Sequence, residues 1–142
     1  MPLPRAALYA QSEDLHVAVW PGSARNTRDI TRFIALESRS YVVSVSGLMR
    51  REDIGAGSEW RELVASASAD ILADGGSCVA GPDGEWVIPP APPLETLLVA
   101  MIDHKRVREE RQNFDPSGHY ARPDVTRLLV NRKRQGVLAL TD

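Results

Sequence analysis

The chain has 142 residues, 43% of them hydrophobic and 25% charged, with a formal net charge of −2. This is the make-up of one globular domain over 1-142, able to bury roughly 68–70% of its unfolded surface, and the near-neutral charge argues against nucleic acid as the main partner. No apolar run approaches the roughly 18–20 residues that span a bilayer and no leader pattern opens the chain, while a single cysteine, Cys78, excludes an intrachain disulfide framework, so a cytoplasmic setting and no membrane are expected.

Pro2 and Pro4 suit the first turn of a helix, and Arg5 to Gln11 supplies good helix formers. His16-Val17-Ala18-Val19-Trp20 is a nearly continuous apolar run closed by Pro21-Gly22, which predicts a strand buried on both faces. Ser23 or Asn26 can cap the next helix, where Ile30, Phe33 and Ile34 form an i, i+3, i+4 stripe. Tyr41 to Ser46 is the next strand, more polar on one face after Val43. Strand, helix and strand at this spacing predict a parallel pair with a crossover helix, hence an α/β fold.

Gly55-Ala56-Gly57 interrupts the pattern, and Glu59 to Leu72 holds a short helix. Gly75 to Ala80 and Glu85 to Ile88 flank Gly81-Pro82-Asp83-Gly84, a hairpin turn in which Pro sets φ and Gly supplies a positive one. Pro89, Pro90, Pro92 and Pro93 make a stiff connector rather than a domain linker. Glu95 to Asp103 then reads as a buried strand, His104 to Gln112 as a charged helix, Asn113 to Asp124 as a loop and Val125 to Val130 as a final strand. The basic clusters at His104 to Arg111 and Arg132 to Arg134 read as solvated faces.

The residues that could carry chemistry have ordinary structural readings. Cys78 sits within a strand beside the hairpin turn without a thiolate-stabilising neighbour, and reads as a small packed residue. His16, His104 and His119 are far apart and show no metal-ligand spacing. His119 shares a loop with Asp115, Tyr120, Arg122 and Asp124, which suits a satisfied hydrogen-bond network. Gly75-Gly76-Ser77 is too short to cradle a phosphate, so no cofactor is expected. Glu37 and Arg39 lie two residues apart, on different faces, and should each pair with another partner.

Four stretches, PLPRAALYAQSEDLHVAVWPG, TRFIALESRSYVVSVSGLM, GGSCVAGPDGEWV and FDPSGHYARPDV, resemble in the same order the second half of the nitrilase branch of the carbon-nitrogen hydrolase family. The resemblance implies an incomplete α-β-β-α sandwich, in which two sheets pack face to face under outer helices, usually paired into dimers and longer assemblies. It implies hydrolysis of a nitrile or amide to a carboxylic acid and ammonia. The family uses a Cys nucleophile, a Glu base and a stabilising Lys, commonly with a second assisting Glu.

None of those catalytic residues can be carried onto this chain. The family nucleophile lies in a Cys-Trp-Glu-Asn-Tyr-like motif, and the family residues just after that motif resemble Met1 to Arg5 here, so the Cys, Glu and Lys positions are expected upstream of Met1. A truncated gene or a start assigned at an internal methionine would give this, and the chain alone would be inactive. Met1, Pro2, Trp20 and Pro21 match positions near the wall of the substrate pocket. Ser12 and Ser38 stand where the family has small residues, commonly Gly, a change that is harmless only at negative φ.

Two other readings compete with this one. The chain could be a non-catalytic partner docked on a full-length nitrilase-like subunit, or a homo-oligomer, because half a sandwich leaves sheet edges and faces without cover. It could also be an independent hydrolase using Cys78 or His119.

Overall fold

The computed structural model describes residues 1–133. In chain order the elements are α1 (Pro2–Tyr9), β1 (Leu15–Trp20), α2 (Ala24–Ser38), β2 (Tyr41–Ser46), β3 (Leu48–Arg50), α3 (Arg61–Ala65), β4 (Ile71–Asp74), β5 (Cys78–Ala80), β6 (Trp86–Ile88) and α4 (His104–Asn113). Four strands form one sheet in the order β1-β2-β5-β6, and β3 and β4 form a separate antiparallel ribbon. β1 and β2 run parallel in a register that sets Val17 beside Val43, and α2 makes the crossover that a parallel pair requires. β5 joins β2 antiparallel, and the Gly81–Gly84 turn returns the chain to β6.

The turn works as its residues predict: the amide of Gly84 donates to the carbonyl of Gly81 at 2.8 Å, with Gly84 at a φ of 76°. Gly76, at a φ of 84°, is needed for space as well, since a side chain there would meet the backbone of Ala24. Its carbonyl accepts from Thr27 Oγ1 at 3.0 Å, which ties the start of α2 to the strand entering the sheet. α2 is capped from outside: neither Ser23 nor Asn26 supplies a side-chain cap, and Asp74 Oδ1 accepts from the amide of Ala24 at 2.8 Å.

α2 lies on one face of the sheet and buries Thr27, Thr31, Ile34, Ala35 and Ser38, a stripe at helical spacing. Phe33, expected in that stripe, is instead exposed beneath the guanidinium of Arg5, 5.8 Å from its ring centre. Tyr9, Ile34, Ala35, Val42 and Ala80 form the core, with Ile30 and Trp86 against it. α1 is fastened by Glu37 Oε2, which accepts from the Tyr9 hydroxyl at 2.8 Å and from Arg5 Nη2 at 3.1 Å. Arg39 turns the other way and meets Glu110 of α4 at 3.4 Å, so Glu37 and Arg39 do find separate partners.

Several expectations are corrected. β1 is not buried on both faces: Val17 is 58% and Val19 79% exposed, since that side of the sheet is covered further along, at Tyr41 and Val79, and left open along β1. Glu95 to Asp103 is not a paired strand. It runs without a ladder partner, with Leu97 87% and Met101 89% exposed, since no described strand lies beside it. Val125 to Val130 is likewise unpaired and exposed. The helix sought within Glu59 to Leu72 shortens to α3, and its last residues instead enter β4. Arg134, in the second basic cluster, lies outside the described residues.

α4 keeps most of the charged run His104–Asn113 in solvent, as expected, and part of the run also clamps the helix to its neighbours. Val107 is fully buried, Arg111 Nη1 meets Asp14 Oδ1 at 3.2 Å, and Arg106 Nη2 meets Asp83 Oδ2 at 2.5 Å. Asp103 caps this helix, its carboxylate accepting from the Lys105 amide at 2.9 Å.

Candidate functional site

The residues matched to a pocket wall fall in two places. Trp20 and Pro21 end β1 at the carboxyl edge of the parallel pair, where open α/β sheets place their ligand crevices. Met1 and Pro2 begin α1 and are exposed. Cavities of about 550, 170 and 740 Å³ are lined by other residues, so the four do not together enclose a pocket among the described residues.

Trp20 is held by a buried hydroxyl chain that sequence reasoning missed. Its indole Nε1 donates to Ser44 Oγ at 3.1 Å, and Ser44 Oγ lies 2.6 Å from Thr31 Oγ1. Thr31 in turn donates to the carbonyl of Thr27 at 2.6 Å, which leaves Ser44 as donor to Thr31 and orders the chain from the indole to the helix backbone. Cys78 Sγ donates to the same Thr31 oxygen at 3.6 Å. The available signal was Thr27 and Thr31 one helical turn apart opposite a strand serine, two hydroxyls that need partners once buried.

Cys78 is therefore part of the packing. It is 1% exposed, and burial pushes its thiol above the ordinary value of 9.0, partly offset by hydrogen bonds with Thr31, Thr27 and Ser44. A nucleophilic cysteine needs the opposite shift. His16 Nδ1 contacts Glu13 Oε1 at 2.8 Å at the start of β1, and His104 Nδ1 contacts Asp14 Oδ2 at 3.1 Å, so both brace the turn before that strand. The loop holding His119 is knitted by its neighbours: Asp115 Oδ1 accepts from the amides of Ser117 and Gly118, and Arg122 clasps Asp124 at 2.6 Å, holding that carboxyl below its usual range. The His119 ring meets Tyr120 at a tilt of 53°, with centroids 4.8 Å apart.

Ser12 occupies the left-handed region at a φ of 57°, so serine is strained there, whereas Ser38 lies in the last turn of α2 and bonds to the carbonyl of Ile34 at 2.8 Å. At Ser38, a helical position, serine in place of the family's smaller residue is harmless, its hydroxyl also meeting Ser40 Oγ at 2.6 Å.

No family model matches the chain. Whole-chain comparison finds Nitrilase 2 of an unknown prokaryotic organism, 33% identical over 143 residues, covering 100% of this chain and 44% of that protein. A nitrilase of Pseudomonas syringae is 33% identical, covering 92% of this chain and 41% of that protein, and an aliphatic nitrilase of Rhodococcus rhodochrous is 30% identical, covering 93% and 37%. Among solved structures, the carbon-nitrogen hydrolase from Helicobacter pylori G27 superposes with a TM-score of 0.64 at 19% identity, over 87% of this chain and 43% of that one.

The fold is accordingly a partial carbon-nitrogen hydrolase sandwich: a four-stranded sheet with helix α2 on one face and the other face open along β1. Within that class the chain belongs to the nitrilase branch and corresponds to its C-terminal half, spanning less than half the length of the relatives it matches. No helix among the described residues is long and apolar enough to cross a membrane.

Proposed function

We propose that these residues are the structural and pocket-wall half of an enzyme that hydrolyses a nitrile or amide to a carboxylic acid and ammonia. The reading rests on one observation. The sheet face opposite α2 presents Leu15, Val17, Val19, Val45 and Val87 to solvent, an apolar surface of the kind that a second sheet covers in a sandwich. On this reading Trp20 and Pro21 line the pocket at the edge of β1, Met1 and Pro2 approach it from α1, and the Cys, Glu and Lys of the reaction come from outside the 142 residues.

The described residues offer no substitute for that set, since the only thiol is buried and held protonated by its surroundings. The 142-residue polypeptide alone is thus inactive and self-associates through its open face, or docks on a nitrilase-like subunit. Two preparations test this: the chain alone, and the chain fused behind the nucleophile-bearing portion of a nitrilase relative in place of that relative's own C-terminal part. Ammonia release from a nitrile and amide panel is expected only from the fusion, and Trp20→Ala should change its substrate preference. Release by the chain alone that disappears in Cys78→Ala would overturn the reading, as would a monomeric chain with a cooperative melt.

A further inference from the structure

Between the β3–β4 ribbon and α3 lies a cavity of about 550 Å³, within the range of small-molecule sites. The guanidinium groups of Arg50, Arg51 and Arg61 line it, against the carboxylates of Glu52 and Asp70, which leaves one cation in excess. Ile54 and Val64 supply an apolar wall.

Arg51 builds the floor. Its Nη1 donates to the carbonyl of Ala65 at 3.3 Å, and its Nη2 to those of Ala67 at 2.5 Å and Ala69 at 3.0 Å, so the segment after α3 is wrapped around the guanidinium and fixes it. Of the two N–H groups left over, that on Nε is buried without a hydrogen-bond partner; Asp70 Oδ1 stands 3.5 Å away, on a side chain that is almost wholly in water. A buried N–H without an acceptor is rare, and an anion, ion or water commonly accounts for one. Arg61 is exposed at the rim and its side chain makes no ion pair among the described residues. Arg50 uses Nη2 on the carbonyl of Pro93 at 3.1 Å and keeps further donors free.

We propose that this cavity binds the carboxylate of a small organic acid with an apolar body. Arg61 and Arg50 grip the carboxylate, for which the planar guanidinium is matched. Arg51 Nε supplies a fixed donor beneath it, and Ile54 and Val64 meet the hydrocarbon. A single excess cation beside an apolar wall favours a monocarboxylate over inorganic phosphate. The site uses none of the residues of the proposed pocket wall and stands independently of the catalytic reading.

Ligand-observed saturation-transfer NMR on the whole 142-residue chain, with its fold verified by circular dichroism, tests the assignment using hexanoate, hexanamide and inorganic phosphate. Hexanoate should bind saturably, hexanamide and phosphate should not, and Arg61→Ala should weaken hexanoate by about tenfold or more while Arg61→Lys restores part of it. Arg61 is exposed, so its replacement leaves the fold in place. Equal binding of hexanamide, hexanoate affinity indifferent to Arg61→Ala, competition by phosphate at the same concentration, or no hexanoate binding to the folded chain would each overturn it.

Discussion

The two faces of the four-stranded sheet differ in both cover and chemistry. Beneath α2 the buried positions include Ser44, Ser46 and Cys78 as well as Val42 and Ala80, and the helix brings Thr27 and Thr31 to meet the hydroxyls. The opposite face is mainly aliphatic and more open, with Leu15, Val17, Val19, Val45 and Val87 in water and only Tyr41 and Val79 buried. A polar group can be buried only where a specific partner is delivered, and α2, in sequence between the two strands, is the element that can deliver one. A face intended for a more distant layer needs only apolar shape.

That contrast can be broken most forcefully in the core. Ile34→Ala removes a side chain that is 3% exposed and should cost about 2–5 kcal/mol, whereas Val19→Thr, at a position 79% exposed, should stay within about 0.5 kcal/mol. Chemical denaturation of the two variants compares them, and Val19→Thr should also reduce self-association. Similar losses from both would mean that the open face is covered in solution.

Alkaline pH acts on the covered side alone. Burial raises the Cys78 thiol, and burial with the hydrogen bond to Glu37 raises the Tyr9 phenol, so folding favours the protonated form of each. The resulting stability is fully present below their ordinary values, 9.0 and 10.0, and is lost as pH rises through the higher folded-state values. Thermal melts should fall in that window and fall less steeply in Cys78→Ala and Tyr9→Phe. At about pH 8, below the ordinary thiol value, alkylation of Cys78 by iodoacetamide should proceed no faster than unfolding.

The smallest effect lies outside both faces. Ser12→Gly relieves a φ of 57° in the turn between α1 and β1 and should stabilise by about 0.5–1 kcal/mol, read as a higher melting temperature.

How much of this is legible in the sequence depends on how locally each feature is determined. β1, α2 and β2 follow from periodicity and spacing, and the β5–β6 hairpin from Gly-Pro-Asp-Gly, because each is decided within a few residues. The β3–β4 ribbon escapes such reasoning: its strands have three and four residues, and their pairing depends on a chain reversal pinned by Arg51. For Glu95 to Asp103 the apolar pattern is genuine, but a pattern reports the surroundings a segment suits and cannot supply the strand that would pair with it. Trp20 and Pro21 stand out by resemblance alone. The Ser44–Thr31 link behind Trp20 becomes visible only when the topology sets α2 across β2.

The unpaired stretch from Glu95 to Ile102 has one more consequence. Before it, Ala91 is bonded to the carbonyl of Ser77 at 2.9 Å and Pro93 to Arg50; after it, the Asp103 amide meets the Tyr41 hydroxyl at 3.3 Å, and α4 is clamped to Asp14, Asp83 and Arg39. A segment tethered at both ends has already lost much of the freedom that strand addition takes away, so under the proposed association an incoming strand would meet a half-formed template rather than a free coil. Loosening either tether, far from the pairing surface, should therefore slow assembly without touching a single contact between the two strands.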